Sequence, residues 1–458
     1  MSTPSHARLE AGADSGTDSG TASGTATGAR SATAAAPALP QGSLVPPPAR
    51  NGPDFAALDA LRAVGALCVL TTHVAFWSGD YTGNGFWGTL LARLDVGVAL
   101  FFVLSGFLLA RPWLAATADR RPTPATPDYL WKRFLRIAPL YVVTAALALA
   151  FVRSNADLSW GDRIATLLML DTFRSPLLPG GLTHMWSLAV EVTFYLALPA
   201  LMVALLGRRR VRAARGLRPA RVLVGIAALV VVTAWWHLDG AARVSPHTDG
   251  APLQWLPAYL SWFALGLLLA LAHVLHERGA WERLTAPLVA LGRQPGSCWA
   301  LAAGLLLVAA TPVAGPSMLD APTPGQSLTK SLLYAVVGLL VVVTGVFADP
   351  TSRYARVLSH PSARRLGWIS FGIFCLHLPL LHLVMWATPW ELFEGHGVPL
   401  WLLTLALSLV AAEVSYRLVE RPAMRLRGLV GSRSASRPGS RTPSGPATSS
   451  PTSGTSIR

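Results

Sequence analysis

Charge is scarce in this chain: Asp, Glu, Lys and Arg make up only 13% of its 458 residues, against 52% hydrophobic. An ordinary soluble domain carries about 25% charged residues, so that class is excluded. Cysteine is nearly absent. Cys68, Cys298 and Cys375 each lie in an apolar segment, with neither metal-like nor disulfide-like spacing, which excludes a disulfide framework. No Gly-rich phosphate loop follows a strand-like run, so an ATP-driven pump has no engine. Acidic residues number 23 against 38 Lys and Arg, a net charge of +15. The basic excess falls mostly between apolar runs and in the C-terminal tail, a pattern that orients a membrane protein and argues against nucleic acid as partner.

What the chain has is apolar length. Ten stretches approach the span of the hydrocarbon core: 56–78, 95–113, 134–153, 183–206, 220–238, 255–275, 297–314, 329–348, 367–388 and 399–419. The expected fold is all-α, a polytopic membrane helix bundle over residues 54–425. Residues 1–53 and 426–458 are rich in Ser, Thr, Gly and Pro and read as disordered tails, the second basic enough to touch anionic lipid. Connections after even-numbered spans carry 20 Lys and Arg, and the opposite set carries six. The positive-inside rule then places both termini in the cytoplasm, in a multi-pass plasma-membrane protein.

Within the first span, Arg62 and His73 are eleven positions apart. At 100° per residue they share one face to within about 20°, and lie about 16 Å apart along the axis. Ionisable groups at such depth point to function, because lipid tolerates them only beside a polar cavity or a partner. Two readings stand for Arg62: pairing with Asp59 one turn earlier, or facing a phosphate or developing thiolate at the cytoplasmic mouth. The expectation is that Arg62 and His73 look into one shared chamber.

The fourth span places His184, Ser187, Glu191 and Tyr195 at intervals of three, four and four, one polar stripe on an apolar helix. Glu191 near the bilayer centre needs a proton or a basic partner, which His73 or Arg62 could supply. Arg133 and Arg136, one turn apart, suit phosphate through paired hydrogen bonds, although topogenic charge also explains them. Ser105-Gly106 in the second span reads as helix packing rather than a nucleophile. His377 either lines the cavity or bonds a backbone carbonyl loosened by Pro379, the second being preferred. His273, His276 and Glu277 lack a separated further ligand, so no metal is expected.

Six motifs in order carry a resemblance: Leu58-Asp59-Ala60-Leu61-Arg62 with His73, FFVLSGFLL, the Arg133 and Arg136 pair, WSLAVEVTFY at Trp186–Tyr195, LGWISFGIFCLHLP, and SYRLVERPAM at Ser415–Met424. Together, over about residues 55 to 425, they resemble the membrane acyltransferase-3 family, bacterial integral-membrane O-acyltransferases. The resemblance implies an acyl-CoA donor, acetyl-CoA first, entering from the cytoplasm, and no permanently bound cofactor. The acyl group, acetyl or short-chain, passes to a hydroxyl of a glycan or glycosylated metabolite. It also implies catalytic roles for His73 as the essential histidine, Arg62 as its paired base and Glu191 as the acidic residue, with the donor on Arg133 and Arg136. The expected chemistry makes His73 the general base, with Glu191 orienting its imidazole or balancing the imidazolium, and an acyl-imidazole intermediate stands as the competing route. Trp186, Ser187, Tyr195, His184 and Asp95 are the expected substrate contacts. The rival class is a proton-coupled transporter or exporter of a small solute, which a polar-lined bundle also suits, although neither internal duplication nor paired broken helices is visible.

Overall fold

The computed structural model describes residues 55–428 apart from 209–211, 213–214 and 317–319. The tail expected over 1–53 lies outside the described residues. So does the C-terminal one, except that 426–428 form a short helical turn.

Among the described residues the chain is helical with turns between, and no strand occurs. Ten helices follow the ten apolar stretches: α1 (Ala56–Trp77), α2 (Gly97–Ala118), α3 (Thr126–Phe151), α4 (Trp186–Leu206), α5 (Pro219–Trp235), α6 (Leu260–His276), α7 (Pro295–Ala309), α8 (Pro324–Val346), α9 (Pro361–Ala387) and α10 (Gly397–Ser415). With adjoining turns, nine of these are long and apolar enough to cross a membrane. The exception is α7. Its 15 residues start on Pro295, and Pro312 and the positive-φ Gly315 close the segment that follows it. At 1.5 Å per residue α7 rises about 22 Å, short of a hydrocarbon core of about 30 Å. Among the described residues the expected ten long spans are therefore nine, plus this shorter helix packed on α8.

Small residues set the inner spacing. A Cβ on Gly106 of α2 would lie 2.3 Å from the Phe263 carbonyl oxygen, and one on Gly266 of α6 would lie 2.2 Å from that of Val103. The two backbones thus touch, as helices in lipid do where side chains vanish. Phe263 beside this contact stacks on Phe102 at 4.6 Å and on Phe194 at 3.8 Å, tying α4 to the same core. On the other flank, a Cβ on Gly367 of α9 would fall 2.0 Å from the Asp59 carbonyl oxygen. That contact fixes α1 against α9, and ten residues further along α9 stands His377.

Candidate active site

Three imidazoles meet where α1, α9 and the start of α4 converge. The His73 ring centroid is 5.1 Å from that of His377 and 5.9 Å from that of His184, and His184 and His377 are 4.6 Å apart. His184 enters from the turn Thr183–Met185 ahead of α4. Neither of its ring nitrogens makes a well-formed hydrogen bond among the described residues, and the ring faces the backbone of Cys375 and Phe374. Pro379 explains that exposed backbone: lacking an N–H, it leaves the carbonyl four residues earlier, at Cys375, without its helical donor.

Carbonyl oxygens only accept, and this fixes the protons. Nδ1 of His377 lies 2.7 Å from the Phe374 oxygen and 3.1 Å from that of Ile373, so it carries the hydrogen and Nε2 of the neutral ring accepts. That Nε2 is 3.1 Å from Nδ1 of His73, which is also 2.8 Å from the Val69 oxygen. Nδ1 of His73 therefore donates, and its Nε2 keeps a lone pair. His73 and His184 line a cavity of about 410 Å³ with Thr72, Tyr81, Asp95 and Trp186. Lys330 holds Asp95 from α8 at 2.6 Å, and the Tyr334 hydroxyl donates to the other carboxylate oxygen. The buried Arg93 donates to the carbonyls of Ala309 and Gly315, pinning the segment after α7 beside this cavity.

A second, smaller cavity of about 90 Å³ lies toward the arginine-rich end. Arg62, Arg133, Arg136, Glu191 and Tyr195 line it. Glu191 accepts from the Ser105 hydroxyl and, at 2.6 Å, from that of Tyr195. The Arg133 guanidinium lies 5.9 Å from the Tyr195 ring centroid, and its buried Nε has no hydrogen-bond partner among the described residues. Arg136 pairs at 2.6 Å with Glu420, which is 2% exposed. A wide π-type turn over Tyr416–Glu420 follows α10, and Tyr416 and Glu420 are its buried residues. Arg62 pairs with Asp59 at 3.2 Å, and Trp368 donates to the same carboxylate. Val98, Ser187 and Phe374 line both cavities and form the neck between them.

A family model described as an acyltransferase domain matches residues 55–417 of this chain. The chain belongs to the acyltransferase-3 family. It is an acyltransferase and a multi-pass membrane protein, which decides for the enzyme over the solute carrier. Among this acyltransferase's relatives, acyltransferase MdmB of Streptomyces mycarofaciens is 27% identical over 405 residues, covering 81% of this chain and 92% of the relative. Nodulation protein 10 of Rhizobium leguminosarum bv. viciae is 27% identical over 81% of this chain and 93% of its own length. Peptidoglycan O-acetyltransferase OatA of Listeria monocytogenes is 25% identical over 82% of this chain and 56% of its own, so this acyltransferase spans about half of it. No solved structure matches.

Placed on this frame, the residues expected from sequence divide. His73, His184, Trp186 and Asp95 share the larger cavity, whereas Arg62, Arg133, Arg136, Glu191 and Tyr195 share the smaller, and Ser187 belongs to both. Arg62 and His73 thus look into adjoining cavities rather than one chamber. Glu191 is not bonded to His73. It stands seven residues beyond His184, about 10 Å further along α4, while His184 is level with His73. His377 occupies the place expected of the carboxylate, and it both bonds backbone and faces His73. Ser105, expected to pack, donates to Glu191. Glu420 and Lys330 were missed. The Glu in SYRLVERPAM, directly after the last apolar stretch, was the available signal for the first; nothing in the sequence ties Lys330 to Asp95, 235 residues away.

Proposed function

We propose that this protein moves an acetyl or short acyl group from acyl-CoA to a hydroxyl of a carbohydrate or glycosylated acceptor, with His73 as general base. The observation that carries this reading is the fixed tautomer of His73: Nδ1 is held by Val69 and His377, so the free lone pair of Nε2 is left for the cavity. The arginine-lined cavity next to it supports an anionic donor arriving from the opposite end. By its basic residues that end is cytoplasmic in the plasma membrane, with both termini on the same side. The relatives' names support the acceptor class, since one acts on peptidoglycan.

In the step itself, the acceptor hydroxyl gives its proton to Nε2 of His73 while its oxygen bonds to the thioester carbonyl. The tetrahedral centre collapses, the carbon–sulfur bond breaks, and the leaving thiolate takes the proton back from Nε2, giving ester and CoA. His377 and the Val69 carbonyl steady the imidazolium formed between these transfers. Glu191 has a different part from orienting the imidazole. It sets Ser105 and Tyr195 and balances the guanidinium groups around the donor's reactive end. The thioester reaches His73 through the neck, where Ser187 is the polar wall.

Mass spectrometry of envelope glycans and extracted metabolites, with and without this protein, tests the reading. A lost mass of one acyl group on a sugar is the expected result. CoA release by the purified protein should depend on that acceptor. Unchanged glycan and metabolite masses, or CoA release indifferent to every acceptor, would overturn the proposal.

A further inference from the structure

One turn beyond the smaller cavity, the same three helices enclose another. Leu109 of α2 and Arg133 of α3 line the small cavity with Tyr195 of α4. Trp113, Thr126 and Pro199, further along those helices toward the arginine-rich end, line a cavity of about 490 Å³. Arg120, Arg121 and Arg212 complete its rim with Thr123, and no carboxylate lines it among the described residues. Arg121 also pairs with Asp119, but that carboxylate is shared with Arg278, leaving the local balance positive. Arg212 is braced across the rim, donating to the Gly207 carbonyl at 3.0 Å and to the Thr123 hydroxyl at 3.2 Å. The backbone amides that open α3 carry no side-chain cap and add to the positive field. Tyr129 stands on α3 between Thr126 of the outer cavity and Arg133 of the smaller one, edge to face with Trp113 at 6.3 Å. The Tyr129 hydroxyl is buried without a hydrogen-bond partner among the described residues, a polar group left unsatisfied between those two levels of α3.

Resting on the acyl-CoA donor proposed above, we infer that this outer cavity holds the adenosine 3′-phosphate 5′-diphosphate end of the donor. The deeper Arg133 and Arg136 then meet its amide arm and thioester instead of its phosphates. Multiply charged phosphates are costly to carry into the bilayer, whereas a guanidinium cluster at the surface binds them in water-accessible geometry. The spacing agrees. From Val203 at the outer cavity to Glu191 is twelve residues of α4, about 18 Å, and an extended, largely neutral pantetheine chain can cross that distance. An arm running along α3 between the two cavities would pass the level of Tyr129, where one of its amides would satisfy that hydroxyl.

Equilibrium binding to the full-length protein in nanodiscs separates the possibilities, with CoA, 3′-dephospho-CoA and pantetheine as probes. The wild type should bind in that order of affinity. In a variant carrying Arg120→Gln, Arg121→Gln and Arg212→Gln, the Kd for CoA should rise at least about tenfold, as expected for lost charge-assisted bonds, while the Kd for pantetheine stays put. Arg133→Gln should weaken CoA and pantetheine by the same factor. An unchanged CoA affinity in the triple variant, with melting as in the wild type, overturns the outer site and leaves the donor reading intact. Failure of the wild type to bind any of the three overturns the donor reading, and the site with it. Restored CoA binding on changing the three arginines to lysine would support charge recognition over a structural effect.

Discussion

The two cavities that meet at Val98, Ser187 and Phe374 solve opposite problems. In the smaller one, arginines and a glutamate are drawn together at depth, and each charge is offset by an opposite charge, a hydroxyl or a ring. In the larger one the reactive group is the His73 imidazole, which can stay neutral while it bonds His377 behind it and the backbone. The difference teaches why the machinery is split. A general base beside three guanidinium groups would be held less basic by their field, while a bare imidazole pocket would not attract an anionic donor. Separation by one layer of side chains permits both.

The contrast breaks hardest at His73. His73→Ala should lower the rate of acceptor-dependent CoA release by about 10² to 10⁴ while membrane insertion and CoA binding persist. A variant that inserts and transfers at the wild-type rate would remove the base from the histidine cavity. Blocking the neck comes next. Val98→Phe puts a ring into the neck, and because misplacing a reacting group by about an ångström can cost about a hundredfold, transfer should fall about tenfold to a hundredfold. The Kd for CoA should move less than about twofold if the two cavities are functionally separate, twofold being about 0.4 kcal/mol. Equal loss of binding and transfer would show that they act as one.

Smaller effects sharpen each side. His377→Ala removes one acceptor from His73 but leaves the Val69 carbonyl. The expected loss in kcat is therefore about tenfold or less, the worth of one hydrogen bond, with KM for the donor unchanged. Measured pH profiles should move along with kcat if His377 tunes the base, and stay fixed if it merely packs. Tyr195→Phe deletes one of two hydroxyls on Glu191 and should cost about threefold, read as a higher donor KM with kcat held. A fall in kcat alone would place Tyr195 nearer the acyl acceptor than its cavity suggests.

Much of this was legible along the chain. Arg62 and His73 share a face because helical period alone requires it, and the stripe of Ser187, Glu191 and Tyr195 follows from the same arithmetic. Charge asymmetry among the connections separated the ends of the bundle. Less legible was which stripe meets which. Glu191 looked like the partner of His73 because both were ionisable and buried, but the entry of α4 beside α1 puts His184 at that level and carries Glu191 past it. Ser105 next to Gly106 read as packing, and Gly106 does permit the approach of α6, while its neighbour turns toward the carboxylate.

By itself the sequence determined the helical segments, their order, and the face on which each polar side chain stands, because hydropathy and a period of 3.6 residues are local properties. Only the tertiary structure decided that His377 rather than Glu191 completes the histidine pair, that Glu420 reaches Arg136 across 284 residues, and that one chamber is really two. The physical reason is that periodicity specifies rotation about a helix's own axis. It says nothing of that helix's depth, its neighbours, or the side chains that close a neck between them.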